Sequence, residues 1–328
     1  MKKISALLLA FAMLFVLASC NEKPVEVEFD TNPPETSAVD VRENRIKIAA
    51  TADPMGLGFA KLSVDRAYAY DVTYYTNPQD AIDLFKSGKA DVVSVSPDTA
   101  ARLYNEIGGI EMLAINTYGI TYVISADKEL KTVDGLKGKT VYCPSDNAGV
   151  KAIFLKSLEL GGVTDVDVQY KTANEIREEM IAGTMEYAVL PEYKSMDVVG
   201  RIAEITTSVD IGEFWEEKCG FSLAQGCVIA KKDFVEKNPE AIEEFLGFYE
   251  VSVNYLPKNP VNASLFLSEN GFFENAELAK ALIETCNPVF VSGAEMKELA
   301  KKNFDALISA DAEILSGNVP ADDFYYGA

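Results

Sequence analysis

From Arg45 onward, short β-rich runs alternate with helical stretches, and that alternation halts once and begins again. A chain that repeats strand, turn and helix builds parallel strands covered by helices, so this pattern predicts an α/β fold. The first series has strands at 46–50 (IKIAA), 72–75 and 91–95. The turn Asp53-Pro54-Met55-Gly56 follows the first strand. Asn77 caps a helix that has Pro78 at its first position, and Gly88 stops it; Ser96-Pro97-Asp98 opens the next. Residues 112–115 and 119–125 then form two strand-like runs with almost no loop between them. A second series has strands at 140–143, 166–170 and 187–190, each leading into a helix at 150–160, 174–182 and 192–199. A last strand is expected at 226–230, with helical sequence to the end. Two βα units joined by two strand-like crossings predict two lobes with a cleft between them.

The N-terminal segment determines the compartment. Lys2 and Lys3 precede an apolar run over 4–17, which has signal-peptide length and falls short of the ~20 residues that span a bilayer. It ends in Leu17-Ala18-Ser19-Cys20, a lipobox, in which small residues admit the peptidase and the cysteine thiol takes lipid. The expectation is a lipoprotein signal peptide over 1–19 and lipidation at Cys20, the membrane being reached through that anchor only. Residues 21–44 are acidic and rich in Pro, Thr and Glu, a composition that cannot bury enough apolar surface to fold alone; with Cys20 they read as a tether, 20–44. The expected division continues with lobe 1 at 45–119, lobe 2 with its crossover strands at 120–230, and the rest of lobe 1 at 231–328.

A formal net charge of −21 disfavours nucleic acid and adsorption to anionic lipid. The chain has no histidine, which excludes Ser-His-Asp and Cys-His catalysis and His-bearing zinc or iron sites. Besides Cys20 there are Cys143, Cys219, Cys227 and Cys286, whose spacings match no zinc pattern. They are either buried free thiols or, if one bridge forms, Cys219 with Cys227. No cofactor and no metal is expected.

In open α/β sheets ligands bind beyond the carboxyl ends of strands, where helix N-termini converge. The candidates are therefore Asp53, Met55 and Gly56; Ser96, Pro97 and Asp98; Thr117 and Tyr118; Ser145, Asp146 and Asn147; and Glu192 and Tyr193. Helix capping is the competing role for the acidic, Ser and Asn residues, and packing for the tyrosines.

Four segments carry a family resemblance: GKADVVSVSPDTAARLY at 88–104, TVDGLKGKTVYCPS at 132–145, GCVIAKKDFVEKNPEAIEEFL at 226–246, and the terminal PADDFYY at 320–326. In this order behind a lipobox, the chain resembles the solute-binding proteins of ABC importers of the nitrate/sulfonate/taurine and thiamine-pyrimidine type, the periplasmic-binding-protein type 2 family. The resemblance covers 45 to the end. It implies a two-lobed Venus-flytrap fold that closes by hinge motion, a small-molecule ligand, ABC permease and ATPase partners, a monomer, and no enzymatic activity. The turns depart from an anion binder. They carry Asp53, Asp98, Asp146 and Glu192, with Arg102 and Lys194 further into their helices. Carboxylates suit a nitrogen-bearing, aromatic ligand, on which the tyrosines and Trp215 could stack. The alternatives are an anion-binding member of the same family, an enzyme using Asp98 and Glu192 for acid/base work, and an adhesion lipoprotein.

Overall fold

A computed structural model describes residues 45–328. The expected signal peptide, lipidation at Cys20 and tether lie outside the described residues.

In chain order the strands are β1 (Ile46–Thr51), β2 (Tyr70–Tyr75), β3 (Val92–Val95), β4 (Ile110–Tyr118), β5 (Thr121–Ser125), β6 (Thr140–Pro144), β7 (Asp167–Lys171), β8 (Tyr187–Pro191), β9 (Thr206–Asp210), β10 (Ala224–Lys231) and β11 (Pro288–Val291). They form two sheets, ordered β11-β4-β10-β3-β1-β2 and β7-β6-β8-β5-β9. β1 pairs in parallel with β2 and β3, and β6 in parallel with β7 and β8, as the βα repeats predict. β10 runs antiparallel to both β3 and β4, and β5 antiparallel to β8 and β9. The chain is thus a two-lobed periplasmic-binding-protein type 2 fold.

Alternation along the strands explains the layers. In β3 and β10, Val92, Val228 and Ala230 pack with Phe245 and Tyr249 on one face. Their neighbours Val93, Val95, Cys227 and Ile229 pack on the other. Both faces are covered by helices, which is why these strands read as unbroken apolar runs. The second cluster also holds Val123, Val141 and Val189 of the other sheet, together with Trp215 and Phe304, so one apolar core is continuous through both lobes. The first is centred on a stack of Phe59 and Tyr249, ring centroids 4.4 Å apart.

The structure adds elements that the sequence pattern did not reveal. β9 and the helix Ile211–Cys219 were not anticipated, and neither was β11 within the C-terminal part expected to be wholly helical. β9 is a polar edge strand, Thr206-Thr207-Ser208-Val209-Asp210, with its first two residues exposed, so it lacks an apolar signal. β11 is four residues long, enters from Asn287 in a left-handed conformation (φ 42°), and is only partly buried against β4. β10 lies in the first sheet along its whole length, whereas the sequence-based division grouped 226–230 with lobe 2. The four cysteines are free thiols, with Cys143, Cys227 and Cys286 buried, so no Cys219–Cys227 bridge is present. Trp215 is fully buried, edge-on to Phe221, and cannot stack on a ligand.

The lobes are joined where β4 passes into β5 through Gly119 and Ile120, and where the chain returns through residues 220–223 into β10. At the crossing, Gly119 touches the backbone of Gly212: a Cβ on Gly119 would lie 2.4 Å from the Gly212 Cα, so only glycine is accommodated. Gln225 fastens the two passages together, its Oε1 accepting from Ile120 N at 2.6 Å and its Nε2 donating to Thr121 Oγ1 at 2.8 Å. Asn303 holds the return segment, donating to Ser222 O and accepting from Ala224 N.

Candidate functional site

Helix N-termini from both lobes converge on a polar cleft of about 470 Å³. The helices Pro54–Leu57, Pro78–Lys86 and Pro97–Ile107 come from the first lobe, each with proline at its first position. The helices Ala148–Leu160 and Glu192–Arg201 come from the second. Each follows a strand of its sheet, the arrangement that places ligands beyond strand carboxyl ends.

The structure brings nine sequence-derived candidates together around this cleft: Asp53, Met55, Ser96, Pro97, Asp98, Ser145, Asp146, Asn147 and Tyr193. Several carboxyl and amide groups also cap helices. Asp53 Oδ1 accepts from Met55 N at 2.9 Å and from Thr51 Oγ1 at 2.7 Å. Asn147 Oδ1 accepts from Val150 N at 3.0 Å, and Asp146 Oδ1 from Ala173 N at 2.9 Å. The N-termini at Pro97 and Glu192 have no side-chain cap.

The remaining four candidates do not line this cleft. Gly56 is packed under β1, where a Cβ would meet Thr51 O at 1.8 Å. Thr117 is fully buried in β4, and Tyr118 lines a separate cavity of about 450 Å³ beside the crossing, with Gly119 and Gly212. β4 leads into the crossing and not into a helix, so its end does not obey the strand-to-helix rule. Glu192 is fully buried beneath the cleft. Its Oε1 accepts from Thr285 Oγ1 of the first lobe at 2.5 Å, and its Oε2 has no hydrogen-bond partner.

Two lining groups escaped the sequence reading for identifiable reasons. Arg102 lies one turn into its helix, yet its guanidinium folds back to Thr99 Oγ1 at 2.7 Å and to Asp98 at 3.4 Å. The i,i+4 spacing of Asp98 and Arg102 was the available signal. Asn77 caps the helix after β2 and faces the same space; it was read as a cap, but the same turn logic makes it a lining residue. Asp98 reaches across to the second lobe, its Oδ1 2.8 Å from where a Cβ on Gly149 would stand.

The electrostatics divide the cleft. At one end, Asp98 is buried and paired with Arg102, beside the hydroxyls of Ser96 and Thr99. At the other, Asp53 has no such cation: desolvation raises its carboxyl above the usual range, against the lowering effect of its bonds to Thr51 and Met55. Desolvation likewise raises Glu192 to about 7, with Asp53 adding to the effect. Tyr193 is pushed up to about 12 by desolvation and then by Asp53 and Asp146. Among the described residues no cation pairs with Asp53, so the burial of its carboxyl is offset only by hydrogen bonds.

A two-lobed α/β frame with helix N-termini facing each other across a polar cleft defines the class of binding-protein folds. Residues 70–263 match the NMT1/THI5 like family, and the chain belongs to it. No curated protein matches the sequence. Among solved structures, an ABC transporter protein from Parabacteroides distasonis superposes with a TM-score of 0.71 at 21% identity, over 86% of this chain and 98% of that one. The periplasmic aliphatic sulphonate binding protein SsuA from Escherichia coli gives 0.68 at 14%, over 86% and 92%. The periplasmic nitrate-binding protein NrtA from Synechocystis PCC 6803 gives 0.58 at 14%, over 86% and 91%. At these identities the likeness is one of fold.

Proposed function

We propose that the protein is the extracytoplasmic solute-binding component of an ABC importer, anchored through lipid on Cys20, working as a monomer with a permease and an ATPase, and not an enzyme. In this reading lobe 1 comprises 45–119 and 231–328 together with β10, and lobe 2 the rest of 120–230. Its solute is a small organic molecule that presents a nitrogen donor to Asp53, and an aromatic or heteroaromatic ring suits the adjacent Tyr193. The observation that carries this reading is Asp53 itself. It stands half-buried in the cleft, both its bonds fall on Oδ1, and none of the described cationic side chains pairs with it. A ligand N–H on Oδ2 would be a charge-assisted bond worth about 1.5–3 kcal/mol.

A second reading has its own support. The uncapped helix N-terminus at Pro97, with Ser96, Thr99 and Arg102 around it, is the chemistry of an anion site. Asp98 already occupies that guanidinium, which weakens the anion reading and favours the donor one.

Calorimetry on the wild type and Asp53→Asn separates them. Amines and aminoheterocycles should bind the wild type and lose about tenfold to a hundredfold in affinity in Asp53→Asn. Tight binding of an alkanesulfonate, lost in Arg102→Gln and unchanged in Asp53→Asn, would establish the anion reading instead.

A further inference from the structure

Asp53, Thr51, Pro54 and Tyr193 have a second cavity on their other side, of about 730 Å³. Its walls differ in kind from those of the polar cleft. Tyr74 and Phe272 meet edge to face, ring centroids 5.5 Å apart, and Phe273, Leu282 and Met196 complete an apolar lining drawn from both lobes. The charged groups on it are Asp53, Asp197 and Arg201. The last two are bonded to each other, Arg201 Nε donating to Asp197 Oδ1 at 2.8 Å, and Arg177 bonds the other oxygen. Asp53 is therefore the one carboxylate of that lining without a cationic partner among the described residues, and it stands at the boundary with the polar cleft.

A cavity whose walls are mostly aromatic and aliphatic, with its one arginine already bonded to a carboxylate, accepts an uncharged apolar group, and recognition sites of this kind are mostly apolar with a few placed polar groups. The shared residues mean that a molecule held at Asp53 is already at the mouth of the second cavity. We infer that the solute carries an uncharged apolar arm, aromatic or branched, which occupies the cavity walled by Tyr74, Phe272, Phe273, Leu282 and Met196 while its nitrogen-bearing end lies at Asp53. The inference rests on the Asp53 reading and narrows it, from nitrogen-bearing solutes in general to those with a substantial apolar substituent. Compact polar solutes would leave this cavity unfilled.

Gly200 provides the test. It is exposed on the helix Glu192–Arg201, lines the cavity, and has no atom within 4 Å of where its Cβ would be. Gly200→Trp therefore has room for its Cβ and is expected to place its indole in the cavity, and it replaces glycine within a helix, a favourable change for the backbone. Phenethylamine and ethylamine are titrated calorimetrically into wild type, Gly200→Trp and Asp53→Asn. The uncharged fluorophore N-phenyl-1-naphthylamine is titrated into the same three proteins. The expected result is a phenethylamine affinity about 10- to 100-fold above that of ethylamine in the wild type, the gain from burying one aryl group. That margin disappears in Gly200→Trp while ethylamine is unaffected. The fluorophore binds saturably at one site in wild type and Asp53→Asn but not in Gly200→Trp. Equal affinity for the two amines, or fluorophore binding indifferent to Gly200→Trp, overturns the inference. If the fluorophore behaves as expected and neither amine binds, the apolar-arm site stands and the Asp53 reading falls.

Discussion

Replacing Glu192 by glutamine should flatten the pH dependence of stability between pH 5 and 8. The carboxyl ordinarily titrates at 4.5 and is held at about 7 in the folded chain, chiefly by desolvation. Its pKa is raised on folding, so the sign is that of a buried acid. Below 4.5 the group is protonated in both states and has no effect on the balance. Between 4.5 and 7 the unfolded chain releases its proton and the folded one keeps it, so stability falls by about 1.4 kcal/mol per pH unit. Above 7 both are ionised and the loss stays at about 3 kcal/mol. The groups that face Glu192 are Thr285, which donates to it, and Asp53, Tyr122 and Cys286, which feel its charge. Asp53 is itself raised and contributes in the same direction, and with no histidine in the chain little else titrates near neutrality. Urea denaturation of wild type and Glu192→Gln at pH 5, 6, 7 and 8 gives two profiles. The wild type should lose about 3 kcal/mol more than the variant across that range, equivalent to about 6 °C in Tm. Comparing slopes removes the variant's own cost of burying an amide. Parallel profiles would refute the reasoning, because they would mean that Glu192 is ionised at no cost.

A methyl group at the lobe crossing, Gly119→Ala, should destabilise the protein by about 1–3 kcal/mol, since the Cβ has 2.4 Å to the Gly212 Cα and no side chain can yield; the urea midpoint measures it. Of the four described thiols, Ellman's reagent should titrate only half-buried Cys219 in the native protein and all four in denaturant without reductant; two missing thiols in denaturant would indicate a disulfide. Cys20→Ala should release the protein from the membrane fraction and abolish the mass increase of the lipid, and retention at unchanged mass would contradict the lipobox reading.

The parts of this molecule that could be read from the sequence are those where local chemistry decides the conformation. Asn77 before Pro78, and Ser96 before Pro97, fix helix starts with no help from distant residues, and both begin helices where expected. The turns after β1, β3, β6 and β8 could be placed for the same reason. What stayed hidden depends on where the chain returns in space. Arg102 reaches the cleft only because its side chain bends back along its helix to Asp98. Glu192 sits at a legible turn, yet Thr285, ninety-three positions away in sequence, draws it inward and out of the cleft lining. Trp215 looked like a surface for stacking because its helix, Ile211–Cys219, was not foreseen; once that helix packs on the core, the ring is enclosed. β11 carries too few residues to announce itself and exists because β4 offers it an edge.

The contact between Gly119 and Gly212 has a kinematic consequence. Two backbones touching without side chains between them would place the pivot of any lobe rotation near this contact. Under such a rotation displacement grows with distance from the pivot, so the parts of the cleft farthest from Ile120, which lines it beside the crossing, would move most. The cavity beside Gly119 and Gly212 would lie next to that pivot. Gln225 and Asn303 clamp the two strands of chain that pass the fulcrum, which removes slack from the joint. A small change in a few torsions between Tyr118 and Thr121 would thereby act on the whole set of helix starts that line the cleft.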